Sequence, residues 1–293
     1  MKTPSLAALT LTLLVATAAG GQVLLPGQAL PIERPAGAPA DAGEAVRRLH
    51  ARHSVSVVMI DDRASAFLIP VAGSVGGANG TFFRSDLVIG NYRAATQQVG
   101  IAWLAAGQDN THSGLQYFSI PANTTVAQDD FVTQTLHRSG LGAIIVFGLD
   151  SLGNNDSLAR LDGFSRIWTF QPGSSGSVSQ NLDAVSVTDS LGSLTAFIVG
   201  LKQSNDYRSN VGIVNLDSIA HTWTVRAVGT GVTSLITVPP LSFAQGTLNA
   251  GSAAIGANVA VTLTSDGFGF WWSAYGSSVD NRTGDGWISR AKQ

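Results

Sequence analysis

From Ser54 onward, Val, Ile, Phe and Thr alternate with Ser and other polar residues in short runs broken by Gly, Asn, Asp and Pro. A side-chain period of two between turn-forming residues predicts β-strands. In the first half these are Val55–Ile60, Ala66–Val71, Phe82–Asn91, Val99–Ala105, Leu115–Ile120, Gly142–Phe147 and Phe164–Phe170. In the second half they are Thr195–Leu201, Tyr207–Asn215, His221–Val228, Ser234–Val238, Val259–Thr264 and Phe268–Tyr275. The N-terminal part reads differently. Lys2, the apolar stretch Leu6 to Val15 and the small residues Ala16 to Gly20 follow the order of a secretory signal peptide, with cleavage expected after Ala18 or Ala19. Pro26, Pro31, Pro35 and Pro39 then mark an extended, unpacked linker. Asp41 with Glu44 three residues on, followed by Ala45, Val46 and Leu49, predicts a short capped helix with a basic, solvated face.

The strands repeat. Phe83-Arg84-Ser85-Asp86-Leu87-Val88-Ile89-Gly90-Asn91 returns as Tyr207-Arg208-Ser209-Asn210-Val211-Gly212-Ile213-Val214-Asn215, an offset of 208 − 84 = 124. Ala66-Phe67-Leu68-Ile69 is echoed by Ala196-Phe197-Ile198-Val199, and Ser119-Ile120-Pro121 by Thr237-Val238-Pro239. The expected organisation is a signal peptide over 1–19, a Pro-rich linker with a short helix over 20–53, and two tandem immunoglobulin-like β-sandwich domains over 54–190 and 191–293. A single jelly roll is the rival architecture.

Composition narrows the function. Of the 293 residues 44% are hydrophobic and 12% charged, and the mean hydropathy is +0.20, which excludes a disordered chain. There is no cysteine, hence no disulfide scaffold, thiolate metal site or cysteine nucleophile. A formal charge of −2 without a basic cluster argues against nucleic acid, and after signal cleavage no stretch is long and apolar enough to span a membrane.

The run from Ile69 through Gly77-Ala78-Asn79-Gly80-Thr81-Phe82-Phe83-Arg84-Ser85-Asp86-Leu87, its shorter second copy, and the ending Val279-Asp280-Asn281-Arg282-Thr283-Gly284-Asp285 resemble a family of exported bacterial β-sandwich repeat proteins. The resemblance covers Ala66 to Asp285 and implies exported, immunoglobulin-like architecture; it brings no activity, ligand or cofactor with it.

No catalytic signature stands out. Gly173-Ser174-Ser175-Gly176-Ser177 lacks the spacing of a nucleophile elbow, and His50, His53, His112, His137 and His221 are scattered without metal-ligand spacing. Asp150, Asn154, Asn155 and Asp156 in one loop and Asp280, Asn281 and Asp285 in another read either as calcium ligands or, in the absence of a calcium-loop pattern, as turn-closing residues. Catalytic residues, metal ligands and cofactors are therefore all expected to be none. Arg84 and Asp86, repeated as Arg208 and Asn210, share one face of their strands and read as a repeated ligand site or as a ladder tying neighbouring strands. Trp271 and Tyr275 share a face with Gly269 and Ser273; that mixture fits sugar stacking or a partner surface, and equally an interdomain contact. The function expected is a secreted or periplasmic, non-catalytic structural or adhesive module of the envelope, with an envelope protein or a glycan as partner. The alternatives are a carbohydrate-binding module using Trp271 and Tyr275 and, more remotely, a secreted hydrolase.

Overall fold

The computed structural model describes residues 29–53, 64–77, 80–171, 173, 175–187, 192–248 and 256–293. The expected signal peptide and the expected strand Val55–Ile60 lie outside the described residues. The first unit contains β1 (Leu30–Ile32), α1 (Ala42–His53), β2 (Ala66–Gly76), β3 (Phe82–Asn91), β4 (Gln97–Ala105), β5 (Leu115–Ile120), β6 (Thr124–Gln128), α2 (Phe131–Gln134), β7 (Gly140–Leu149), β8 (Leu161–Phe170), β9 (Ser177–Asp183) and β10 (Val185–Ser186). The second contains β11 (Thr195–Gln203), β12 (Tyr207–Asn215), β13 (His221–Ala227), β14 (Thr233–Val238), β15 (Ser242–Thr247), β16 (Gly256–Ser265), β17 (Trp272–Asp280) and β18 (Gly286–Arg290).

The fold is all-β and built from antiparallel sheets, as the alternation predicts. The repeat extends to topology. In the second unit the sheets run β11-β16-β13-β14 and β15-β12-β17-β18; in the first, β2-β7-β4-β5 and β6-β3-β8-β9 occupy the same places in the same order. The first unit adds β1 beside β5 and β10 beside β2, and its two sheets join at the corner where Val75 and Gly76 of β2 pair with Phe83 and Phe82 of β3. Each unit thus contains an eight-stranded sandwich whose pairing order is first-sixth-third-fourth and fifth-second-seventh-eighth. The immunoglobulin order, by contrast, pairs first-second-fifth-fourth against third-sixth-seventh, and only the second–fifth and third–sixth pairings coincide. The sandwich expectation holds at the level of architecture, with a different wiring.

Four of the strands that the alternation missed occupy matching positions. β6 and β9, and their counterparts β15 and β18, flank the same sheet in each unit, and they are made largely of Thr, Ser, Gln and Gly. Edge strands of this kind bury one side at most, so their apolar period is weak. The Pro-rich segment also departs from expectation. From residue 29 on it packs rather than dangles: Leu30–Ile32 pairs with β5, the Arg34 guanidinium donates to the Ala38 carbonyl, and the Tyr117 hydroxyl donates to the Pro39 carbonyl. Pro31 is tolerated because β1 is an edge strand. The helix is capped as expected. The Glu44 N–H donates to Asp41 Oδ1 at 2.8 Å, the Glu44 carboxylate accepts from Ala40 N–H at 2.7 Å, and Ala45, Val46 and Leu49 are buried.

Three apolar clusters show how the sheets stack. One, with Phe67, Ile89, Ile101 and Val146, lies between the two sheets of the first unit. Another, with Ile198, Ile213, Trp223 and Trp272, lies between those of the second. The third crosses the boundary, joining Leu68, Leu104, Ile145 and Phe147 of the first unit to Val214, Leu241, Phe243 and Tyr275 of the second, with α1 against the same surface. The result is four sheet layers. The β2-β7-β4-β5 sheet is covered on both faces, so β2, β4 and β7 are buried nearly throughout, whereas β13 alternates buried and exposed residues. Backbone contacts reinforce the seam, with Gly107 N–H donating to the Phe243 carbonyl at 2.9 Å and Ser242 Oγ to the Ala105 carbonyl at 3.0 Å. Among the described residues no helix is long and apolar enough to cross a membrane.

Candidate functional site

The six candidate residues fall into three places. Arg84 and Asp86 lie on the outer face of the first unit, on β3 beside β8. The Asp86 carboxylate accepts hydrogen bonds from Trp168 Nε1 at 2.8 Å, Arg166 at 3.1 Å and the Asp130 N–H at 3.0 Å, while Arg84 Nε lies 3.5 Å from Asp130. The Arg84 guanidinium also sits 4.9 Å from the Phe82 ring centroid and 5.5 Å from that of Trp168. The pair ties strand to strand and strand to loop, which is the ladder reading. Asp86→Ala is therefore expected to lower stability by about 2–3 kcal/mol by stranding three donors, and Arg84→Ala by about 1 kcal/mol, since that side chain is partly solvated. Chemical-denaturant melts of both variants check the order.

Arg208 and Asn210 occupy the corresponding positions on β12, yet their face is turned into the seam. Arg208 donates to Asn281 Oδ1 at 2.8 Å. With Tyr275 they line a cleft of about 270 Å³ between the two units, walled by Val71, Leu141, Ile167, Val178, Val279 and Ile288. Tyr275 is 2% exposed. Its ring lies over Gly212, where a Cβ would come within 2.2 Å of the ring, and stacks parallel to Phe243 with centroids 6.3 Å apart. Its hydroxyl donates to Gln245 Oε1 at 2.6 Å, and burial pushes the phenol above the usual tyrosine range.

Trp271 sits elsewhere on the seam, half-buried, with its ring edge-on to His50 of α1 at 3.8 Å. Trp271 and Tyr275 do share a face, as their spacing predicts, but the first unit covers that face, so they form no exposed platform. The strand also begins later than expected. Gly269 takes a left-handed φ of 83°, and Phe268, before it, is 84% exposed. Exposed rings occur instead on the first unit's outer face, at Phe82 and Phe170, beside the half-buried Trp168.

The Asp/Asn loops close turns. Asp150 Oδ1 accepts from the Leu152 and Asn154 N–H groups, and Asp280 Oδ1 from those of Arg282 and Thr283. Among the described residues no group of three or more His, Asp or Glu is placed to hold a metal ion. One histidine is locked in place: His221 stacks on Phe270 at 3.7 Å, with Nδ1 2.8 Å from Asp266 and Nε2 3.0 Å from Asp217. Burial opposes the Asp266 charge, but hydrogen bonds from His221 and the Thr222 N–H outweigh it and hold the carboxyl below its usual range. A depressed carboxyl contributes stability above its unfolded pKa and loses it as the pH falls through the folded value. Acid titration of the melting midpoint should thus be shallower in Asp266→Asn than in the parent.

The sequence motif did not reveal the most telling repeated residue, although it contains it. Asn91 and Asn215, 1% and 0% exposed, make the same bonds in both units. Asn91 Nδ2 donates to the carbonyls of Ala95, Ile120 and Pro121, and Asn215 Nδ2 to those of Ile219, Val238 and Pro239. Each Oδ1 accepts the N–H two residues on, from Arg93 or Asp217. This accounts for the echo of Ile120-Pro121 in Val238-Pro239.

Compared with known proteins, the chain matches no family model, no curated protein and no solved structure.

Proposed function

We propose that this is an exported, non-catalytic β-sandwich protein of the cell envelope or extracellular space, acting as a rigid structural or adhesive element. One observation carries the reading: the apolar seam fuses two sandwiches into a single four-layer stack and, among the described residues, leaves an outer sheet face uncovered at each end. One end face presents Phe82, Arg84, Arg166 and Phe170, and the other presents Phe197, Val199 and Leu235. A stiff body with contact surfaces at its ends suits bridging or anchoring. The low charge and the leader-like N-terminus agree with export.

A glycan-binding reading rests on the first of these faces. Its exposed Phe82 and Phe170 rings adjoin Arg166 and the Asp86 carboxylate, the apolar and polar groups a sugar uses. The test is expression of the whole chain, identification of the mature N-terminus by mass spectrometry, and fractionation with glycan-array binding. Cleavage near Ala18 or Ala19 and retention in the envelope or medium are expected. An intact N-terminus in the cytoplasm, or turnover of an ester, peptide or glycoside substrate, would overturn the reading.

A further inference from the structure

The repeat supplies an internal control for the cleft at the seam. In the first unit the motif arginine is neutralised, with Arg84 3.5 Å from Asp130 and the acidic Asp86 two residues on. In the second unit the motif acid is replaced by an amide, and the arginine's bonding partner comes from a different loop, the one after β17. Asn210 stands where Asp86 stands, and the partner of Arg208 is the side-chain oxygen of Asn281. Among the described residues no carboxylate is ion-paired with Arg208. A guanidinium is a permanent cation whose flat fork matches a carboxylate through two parallel hydrogen bonds. Here it borders a cavity whose apolar wall is mostly aliphatic, with the Phe83 and Tyr275 rings, and whose neutral polar groups are Asn210, Gln180, Gln245, Ser179 and Ser277. Ligand sites favour such places, at the junction of two units, mostly apolar with a few converging polar groups. The volume of about 270 Å³ lies just below the roughly 300–1,000 Å³ typical of ligand pockets and limits the occupant to a short or medium chain.

We propose that this cleft binds a small amphipathic carboxylate, its aliphatic body against Val71, Ile167 and Ile288 and its head group on Arg208. The proposal does not depend on the exported-scaffold reading, which concerns the outer faces. Decanoate is the probe, with 1-decanol and acetate as tail-only and head-only controls for the two halves of the recognition: decanol lacks the charge and acetate lacks the chain. Binding to the full chain is followed by titration calorimetry. Decanoate should bind at least about ten times more tightly than decanol, and acetate should not bind. Arg208→Gln should weaken decanoate at least about tenfold. Ile288→Trp, which fills the cleft from a half-exposed position, should do the same, while Arg84→Gln leaves binding unchanged. Thermal melts of each variant show that it is folded. Absence of decanoate binding, or binding insensitive to both Arg208→Gln and Ile288→Trp, would overturn the proposal. So would equal affinity for decanol, which would make the cleft a simple apolar void.

Discussion

Asn215→Ala and Asn91→Ala should each destabilise the protein by about 3 kcal/mol, more than any surface change in the repeat motif. Each asparagine is buried at the end of a strand and holds three carbonyl oxygens and one N–H, of which the Ile120 or Val238 carbonyl is itself buried and would be left unpaired if the side chain were removed. Asparagine suits this task because its short side chain carries both two donors and an acceptor. Aspartate at the same place has the size but no proton to give, so Asn215→Asp should cost more than Asn215→Ala, as a carboxylate would face three carbonyls. Serine offers a single donor and should recover little. Denaturant melts of the four variants decide the matter; unchanged midpoints in both alanine variants would remove the clamp from the account. By comparison, Arg208→Ala should shift stability by less than about 0.5 kcal/mol, because it bonds to an exposed amide.

Phe243→Ala should cost about 3–5 kcal/mol and should loosen the two units from one another. The side chain is fully buried in the cluster that crosses the boundary, and it stacks on Tyr275 while its backbone carbonyl accepts Gly107 N–H from the first unit. Removing the ring leaves a cavity in the seam and spares the cores inside each sandwich, since Phe243 belongs to neither. The parent is expected to unfold in one transition and the variant in two. A protease site engineered after Val187 sharpens the contrast. Cut parent protein should run as one particle on gel filtration, held by the seam, whereas cut Phe243→Ala should separate into its halves. Two transitions in the parent, or separation of its halves on cutting, would mean that the seam does not couple the units.

How the chain divides between sequence and packing follows from which faces are solvated. Alternation alone determined that the body of the chain is β, and three strands, Phe82–Asn91, Leu115–Ile120 and Tyr207–Asn215, begin and end where it placed them. It did so because a strand with one buried face writes its orientation into every second residue. The repeat was equally legible, and so was the capped helix. The edge strands β6, β9, β15 and β18 were not, since a strand with little to bury leaves little pattern. The seam lay half-written in the sequence. Ala143-Ile144-Ile145-Val146-Phe147 is apolar at every position, where its counterpart β16 runs Val261-Thr262-Leu263-Thr264; a strand covered on both sides loses its polar alternate. That contrast says that one sheet is covered twice, though not by what. Only the tertiary structure decided that the cover is the second unit, which buries Tyr275, turns Arg208 inward and leaves Arg84 outside. Two copies of one motif, alike in sequence, came to differ in role because a chain of two stacked units has one internal junction and two free ends, and the motif-bearing face of each unit meets a different one.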